Sequence, residues 1–195
     1  MTTGPTTPSA RQVELLESAY RYTLTHGLAE MSLRPLATAI GSSPRVLLFL
    51  FGSKDGLVRA LLARARSDEM AVLDRLRQAA DTDRIGLGAA VEQIWEWLAA
   101  DDHQPLLKLW AEAYARSLVE PDGPWAGFAN TTVQDWLDVL AKCQPPQEKR
   151  SAEGIAQRTL ALAVLRGALL DLLATGDRNR VTRALRLHLG ALGAE

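Results

Sequence analysis

Apolar positions along the chain recur at intervals of three and four, and no stretch alternates convincingly at two. That spacing predicts an all-α protein. Over Arg11–His26, Leu16, Ala19, Tyr20 and Thr23 fall at helical spacing, and Gly27 supplies a stop. Ser32 is placed to cap a second helix, Leu33–Ile40, with Pro35 in the first turn, where a missing N–H costs little. Gly41 ends it. Ser43 caps a third helix with Pro44 at its first position, the place proline prefers, and Gly52 follows its last residue, Phe51. Ser53 then caps a long fourth helix that reaches about Ala80. After a break at Asp81–Gly88, longer helices are expected at about Ala89–Ala100, Gln104–Leu118, Phe128–Cys143, Glu153–Thr175 and Asn179–Leu192.

The third helix departs from the general pattern. Val46-Leu47-Leu48-Phe49-Leu50-Phe51 contains no polar residue, whereas a surface helix needs a polar face. Two short helices joined by Gly41-Ser42 form a helix-turn-helix candidate. In that motif the second helix packs by one face and enters the DNA major groove by the other. Helical spacing turns Leu47, Leu50 and Phe51 inward and Arg45, Leu48 and Phe49 outward. The pattern alone equally admits a helix buried on all sides in a bundle. On the DNA reading, Ser43, Pro44 and Arg45 lie at the end that touches base edges. Pro44 and Leu48 suit thymine methyl groups, and the Arg45 fork suits guanine O6 and N7. Lys54 and the amides of Ser53–Asp55 suit a phosphate oxygen, and Ser32 and Arg34 a neighbouring one.

Charge adds a direction. The chain of 195 residues carries a net charge of −1, but Met1–Arg66 counts +4 and Ser67–Glu195 counts −5. A basic end on an acidic body points to a polyanion partner at that end. The single cysteine, Cys143, excludes a disulfide framework or a Cys-rich zinc site within one chain, and fits a reducing, cytoplasmic setting. Met1–Ala10 is rich in Thr, Pro and Gly and lacks a signal-peptide pattern; a disordered tail is expected. The longest apolar run, around Leu160–Ala174, carries Arg166 and Asp171 and is too short and too charged to span a bilayer.

Against this background, RQVELLESAYRYTLTHGLAEMSLRPLATAIGSSPRVLLFLFGSKDGLVRALL resembles the N-terminal DNA-binding domain of the TetR family of transcriptional regulators. The features come in the same order. An amphipathic helix ends in His26-Gly27, Ser32 opens LRPLATAIG, a Ser-rich turn follows, and Phe51-Gly52-Ser53-Lys54-Asp55-Gly56-Leu57 forms the junction into the fourth helix. The likeness covers about Arg11–Arg66. It implies a helix-turn-helix DNA-binding domain at 11–56 and a helical ligand-binding and dimerisation domain at 57–195. It also implies a homodimer on a palindromic operator in double-stranded DNA, and a repressor released by a small-molecule effector. One departure stands out. Family members commonly carry Tyr-Tyr-His or Tyr-His where this chain has Leu48-Phe49-Leu50, and there a hydroxyl or imidazole often holds a phosphate. Here that task falls to Lys54, Ser32, Arg34 and backbone amides.

The remaining two thirds offer support of their own. Leu160, Val164, Gly167 and Leu170 form one stripe of the Glu153–Thr175 helix, and Ile155, Thr159, Leu162, Leu169 and Leu173 another. A helix apolar over most of its circumference needs cover on both sides, from a second subunit or from its own domain. The first stripe is the expected dimerisation face. Aromatics gather mid-chain. Trp110 and Tyr114, four apart on one face, are the best candidates to line a pocket for an apolar or aromatic molecule, followed by Trp95, Phe128 and Trp136. Trp95 and Trp97 must point to opposite sides of their helix. No carboxylate or arginine stands out as an anchor for a ligand.

Enzyme chemistry finds no foothold. There is no GxGxxG, P-loop, HExxH or GxSxG, so no cofactor, metal or catalytic residue is assigned. Asp101-Asp102-His103 suits an exposed loop, because adjacent side chains diverge. Arg178, Arg180, Arg183 and Arg186 suit a solvated face of the last helix. Two alternatives stay open beside the repressor. One is an all-α small-molecule-binding protein or enzyme with a vestigial DNA-binding motif. The other is an activator or ligand-blind scaffold.

Overall fold

The computed structural model describes residues 8–28, 31–83 and 85–192. Among them it contains no strand and nine α-helices, so the all-α expectation holds. They are α1 (Ala10–His26), α2 (Leu33–Ala39), α3 (Pro44–Phe51), α4 (Lys54–Asp83), α5 (Leu87–Leu98), α6 (Gln104–Val119), α7 (Phe128–Lys142), α8 (Ala152–Thr175) and α9 (Arg178–Leu192). A 3-10 turn, Asp101–His103, leads into α6. Of the expected tail Met1–Ala10, the first seven residues lie outside the described residues. Ser9 accepts a hydrogen bond from the Gln12 amide at 3.2 Å, so α1 opens at Ala10, one residue early. α4 runs past the expected break at Asp81, since neither glycine nor proline meets it before Gly86. Its 30 residues span ~45 Å.

α1 to α3 and the first half of α4 form a head around one core. Leu15, Ala19, Leu36, Leu47, Leu57 and Leu61 are buried there, and Leu16, expected to face inward, is only half-buried. Polar contacts fasten α1 to α4 as well. Arg64 pairs with Glu17 and Asp68 and lies over the Tyr20 ring at 4.7 Å. The Tyr20 hydroxyl donates to Asp68 at 2.8 Å. Burial, and then that bond, push the Tyr20 hydroxyl well above the ordinary tyrosine value.

The caps fall where the sequence puts them. Ser43 accepts from the Val46 amide at 3.3 Å with Pro44 in the first turn of α3. Ser53 accepts from the Gly56 amide at 2.9 Å and starts α4. Ser32 occupies the N-cap position of α2, but its hydroxyl makes no capping bond and is exposed. Two glycines are structural necessities at the α3–α4 corner. Gly52 has φ +78°, a left-handed conformation that closes α3. At Gly56 a Cβ would stand 2.0 Å from the Phe51 carbonyl oxygen. Only the bare backbone lets the start of α4 approach the end of α3 so closely.

The second half of α4 and α5 to α9 form the body. Val72, Leu73, Ile94, Leu107, Val139, Leu140 and Leu165 belong to its core. Between the two cores the fully buried Glu69 accepts from the Trp136 indole N–H at 2.8 Å and from Arg66 at 2.6 Å. Arg66 also pairs with Asp135. An unpaired carboxylate at such depth would cost several kcal/mol. No helix among the described residues is long and apolar enough to cross a membrane.

The corner predicts a sharp contrast. Gly56→Ala forces α3 away from α4 and is expected to cost more than ~2 kcal/mol, read as a lower melting temperature. Gly88→Ala, near the start of α5 with open space around it, is expected to stay within ~1 kcal/mol of the parent.

Candidate functional site

Two sites take shape, one on the head and one inside the body. On the head, α3 is held from behind by buried Leu47, by half-buried Leu50 and Phe51, and by the Gln12 side-chain amide, which donates to the Leu50 carbonyl at 3.1 Å. The opposite face is open. Phe49 is 85% exposed, Leu48 40%, and Arg45 is exposed beside them. The helix is therefore not walled in, which removes the bundle-core alternative. Ser43 and Pro44 are half-buried at its start. Arg34 on α2 and Lys54 at the start of α4 are exposed, like Ser32. All eight residues expected to meet DNA are thus exposed or half-buried. Tyr or His side chains are missing from it, so its outer ridge is apolar and its rim cationic.

Inside the body lies a cavity of about 330 Å³. Trp110 and Tyr114 of α6 line it with Phe128 and Trp136 of α7, four of the five aromatics singled out from the sequence. Trp95 does not. It is buried on another side of α5, and its indole N–H donates to the Thr182 hydroxyl of α9 at 2.9 Å. Its neighbours Ile94 and Leu98 line the cavity instead. Trp97 stacks on His103 and stands behind Trp110, at ring distances of 4.1 and 5.7 Å.

No arginine stands out along the sequence as a ligand anchor, yet one lies at this cavity. Arg166 of α8 lines the cavity, 5.2 Å from the centre of the Tyr114 ring. Burial, partly offset by Tyr114 and Glu69, lowers its pKa from the ordinary arginine value. The visible signal was a lone cation inside the apolar Leu160–Ala174 run, which bore on membrane insertion but equally marks a charge kept indoors for a reason. Thr132 of α7 and Leu162 and Leu165 of α8 complete the wall.

α6 ties the two sites together. One face carries Leu107, Trp110 and Tyr114 into the body core and cavity. The other carries Leu109 and Ala113 into the head core. Between them Glu112 accepts the Leu28 amide N–H at 2.9 Å, at the exit from α1. Gly27 just before has φ +77°, and a Cβ there would lie 3.2 Å from the same carboxylate.

The outer side of α8 is a third surface. Ala156, Leu160, Ala163, Gly167, Leu170 and Ala174 are all exposed at alternating steps of four and three. Leu160 is 48% and Leu170 57% exposed, and Leu187 of the adjoining α9 is 80% exposed. Val164, expected on the same stripe, is half-buried and packs against the body core. Leu170 also reaches the cavity wall.

A helix-turn-helix head on a helical body with an internal cavity is the architecture of one class of transcriptional regulators. The sequence is 29% identical over 165 residues to the HTH-type transcriptional regulator BetI of Burkholderia thailandensis, covering 82% of each chain. A TetR transcriptional regulator from Legionella pneumophila has the same fold, with a TM-score of 0.71 at 15% identity over 98% of this chain and 99% of that one. The multidrug binding protein EbrR, solved in complex with imidazole, superimposes with a TM-score of 0.63 at 24% identity over 92% and 89%. No family model matches the chain. Fold and motif order are those of TetR-type transcriptional regulators, to which the chain is similar in both sequence and structure.

Proposed function

We propose that the chain is a homodimeric, cytoplasmic repressor that binds a near-palindromic operator and leaves it when a small apolar or aromatic molecule enters the body cavity. The observation that carries this reading is the double duty of α6, whose opposite faces belong to the cavity wall and to the head core. A ligand that shifts Trp110 or Tyr114 must shift the packing of Leu109, Ala113 and Glu112 on the head. Ligand and operator then favour different arrangements, and by linkage each weakens the other. The solved complexes of EbrR with proflavin and ethidium support the idea that a protein of this fold takes flat aromatic molecules.

Dimerisation is supported by the exposed α8 stripe. Alternating steps of three and four are the spacing of a helix seam, and its alanines and Gly167 let a second helix approach closely. A two-fold pair would present two copies of α3 to two half-sites. On the DNA, Arg45 reads a guanine edge, Pro44 and Leu48 meet thymine methyls, and Phe49 packs beside them. Ser43 flanks these contacts at the start of α3. Lys54, Ser32 and Arg34 hold phosphates. The apolar ridge at Leu48 and Phe49 favours a second reading, a ligand-binding protein whose DNA face has lapsed. Selection of bound DNA from a random pool separates the two. A palindromic consensus is the expected result, and failure to retain any fragment at low salt would favour the lapsed face.

On the selected operator, Lys54→Ala is expected to weaken binding to all sequences and lower the salt slope by about one. Arg45→Ala is expected to relax the preference at one base pair per half-site, worth ~1–3 kcal/mol. Uniform weakening by Arg45→Ala in an anisotropy titration would make it a phosphate contact instead. Leu160→Arg is expected to move the protein from dimer to monomer in sedimentation equilibrium, with operator affinity falling at the same time.

A further inference from the structure

The walls of the cavity carry three hydrogen-bonding atoms that nothing in the protein satisfies. The Arg166 Nη2, the Trp110 indole N–H and the Thr132 hydroxyl are all buried, and none has a protein partner. Arg166 makes no ion pair among the described residues; the face of Tyr114 at 5.2 Å is its near neighbour. Arginine stays protonated at neutral pH even when burial disfavours its charge. A half-buried guanidinium set beside Ile94, Leu162, Leu165 and Leu169 without a counter-ion loses hydration that nothing in the wall replaces. Buried donors of this kind usually have a partner, and their remaining open is the feature to explain.

Among the described residues no acidic side chain lines the cavity. Glu69, the carboxylate whose field Arg166 feels, is occupied by the Trp136 indole N–H and by Arg66. Among the described residues the wall therefore offers three buried, unpartnered donors, one of them cationic, beside the Tyr114 hydroxyl, and no anionic acceptor. A cationic guest would face Arg166 with nothing to offset the repulsion. A neutral guest can accept a hydrogen bond but leaves the charge of the guanidinium uncompensated. An acid with an apolar body solves both problems, because its carboxylate accepts from the guanidinium in the forked geometry that arginine favours.

We propose that the effector is an amphipathic anion. Its carboxylate sits on Arg166, its acceptor oxygens are also served by Trp110 and Thr132, and its apolar or aromatic body lies against Phe128, Trp136 and Leu165. This rests on the reading of the cavity as the effector site and adds the charge and chemical class of what it takes.

The test uses the full-length protein and three probes of one shape: 2-naphthoate, 2-naphthamide and 2-naphthylmethylammonium, titrated by calorimetry. The acid is expected to bind at least about tenfold more tightly than the amide, and the ammonium weakest of the three. Arg166→Gln is expected to remove about tenfold or more of the affinity for the acid while changing the amide by less than about twofold. Arg166→Lys, which keeps the charge but loses the fork, is expected to fall between, and it serves as the second variant if Arg166→Gln does not fold. Equal binding of amide or ammonium overturns the anion assignment and leaves the cavity as an effector site. The same holds if Arg166→Gln binds the acid as tightly as the parent. Failure of all three probes to bind at millimolar concentration overturns the assignment together with that reading of the cavity.

Discussion

One helix with two buried faces governs the molecule. α6 contributes Trp110 and Tyr114 to the wall of the body cavity and Leu109 and Ala113 to the core of the head. Close packing makes such a helix hard to move on one side alone, because a core has few arrangements and little slack. Glu112 gives the junction a polar lock. Its carboxylate takes the Leu28 amide where α1 ends, so the exit of α1 follows α6. Glu69 plays a parallel part on α4, fixed by the cavity residue Trp136 on one side and by Arg66 on the other. Head and body are thus joined by packed side chains and charge-assisted bonds rather than by a flexible linker.

The head shows how sequence economy shapes a surface. α3 has eight residues and must both pack and protrude. Leu47 takes the inner place, and the outer ridge of Leu48 and Phe49 is left apolar in water. Exposed apolar surface of this kind commonly marks an interface. The cationic rim of Arg34, Arg45 and Lys54 gives that interface a sign. Affinity on this face would come from shape and phosphate charge, with fewer directed hydrogen bonds than tyrosine or histidine would supply.

Local chemistry was legible in the sequence, and long-range chemistry was not. Ser43, Pro44, Gly52 and Ser53 announced the ends of α3 and the start of α4, because caps act over three or four residues. The inward and outward sides of α3 followed from its period. Trp95 was misplaced because its direction is set by Thr182, 87 positions away, which no periodicity reports. α4 outran its expected end because acidic and small residues at Ala80–Asp83 do not stop a helix by themselves. Arg166 went unrecognised as a cavity residue because α8 is apolar almost all round. Only the placement of α6 and α7 decides which side of it becomes the wall. The requirement for Gly56 lay in plain view as a glycine, but its cause, the Phe51 carbonyl, is a contact between two helices.

The most direct measurement of the link between cavity and head follows the Leu28 amide by hydrogen exchange and NMR while an operator-releasing ligand fills the cavity. If α6 carries the signal, the Leu28 N–H shifts and its protection changes in step with occupancy, because its acceptor Glu112 moves with Trp110 and Tyr114. A ligand that saturates the cavity and releases the operator while the Leu28 amide stays unchanged would contradict the account, and the coupling would have to run through another element.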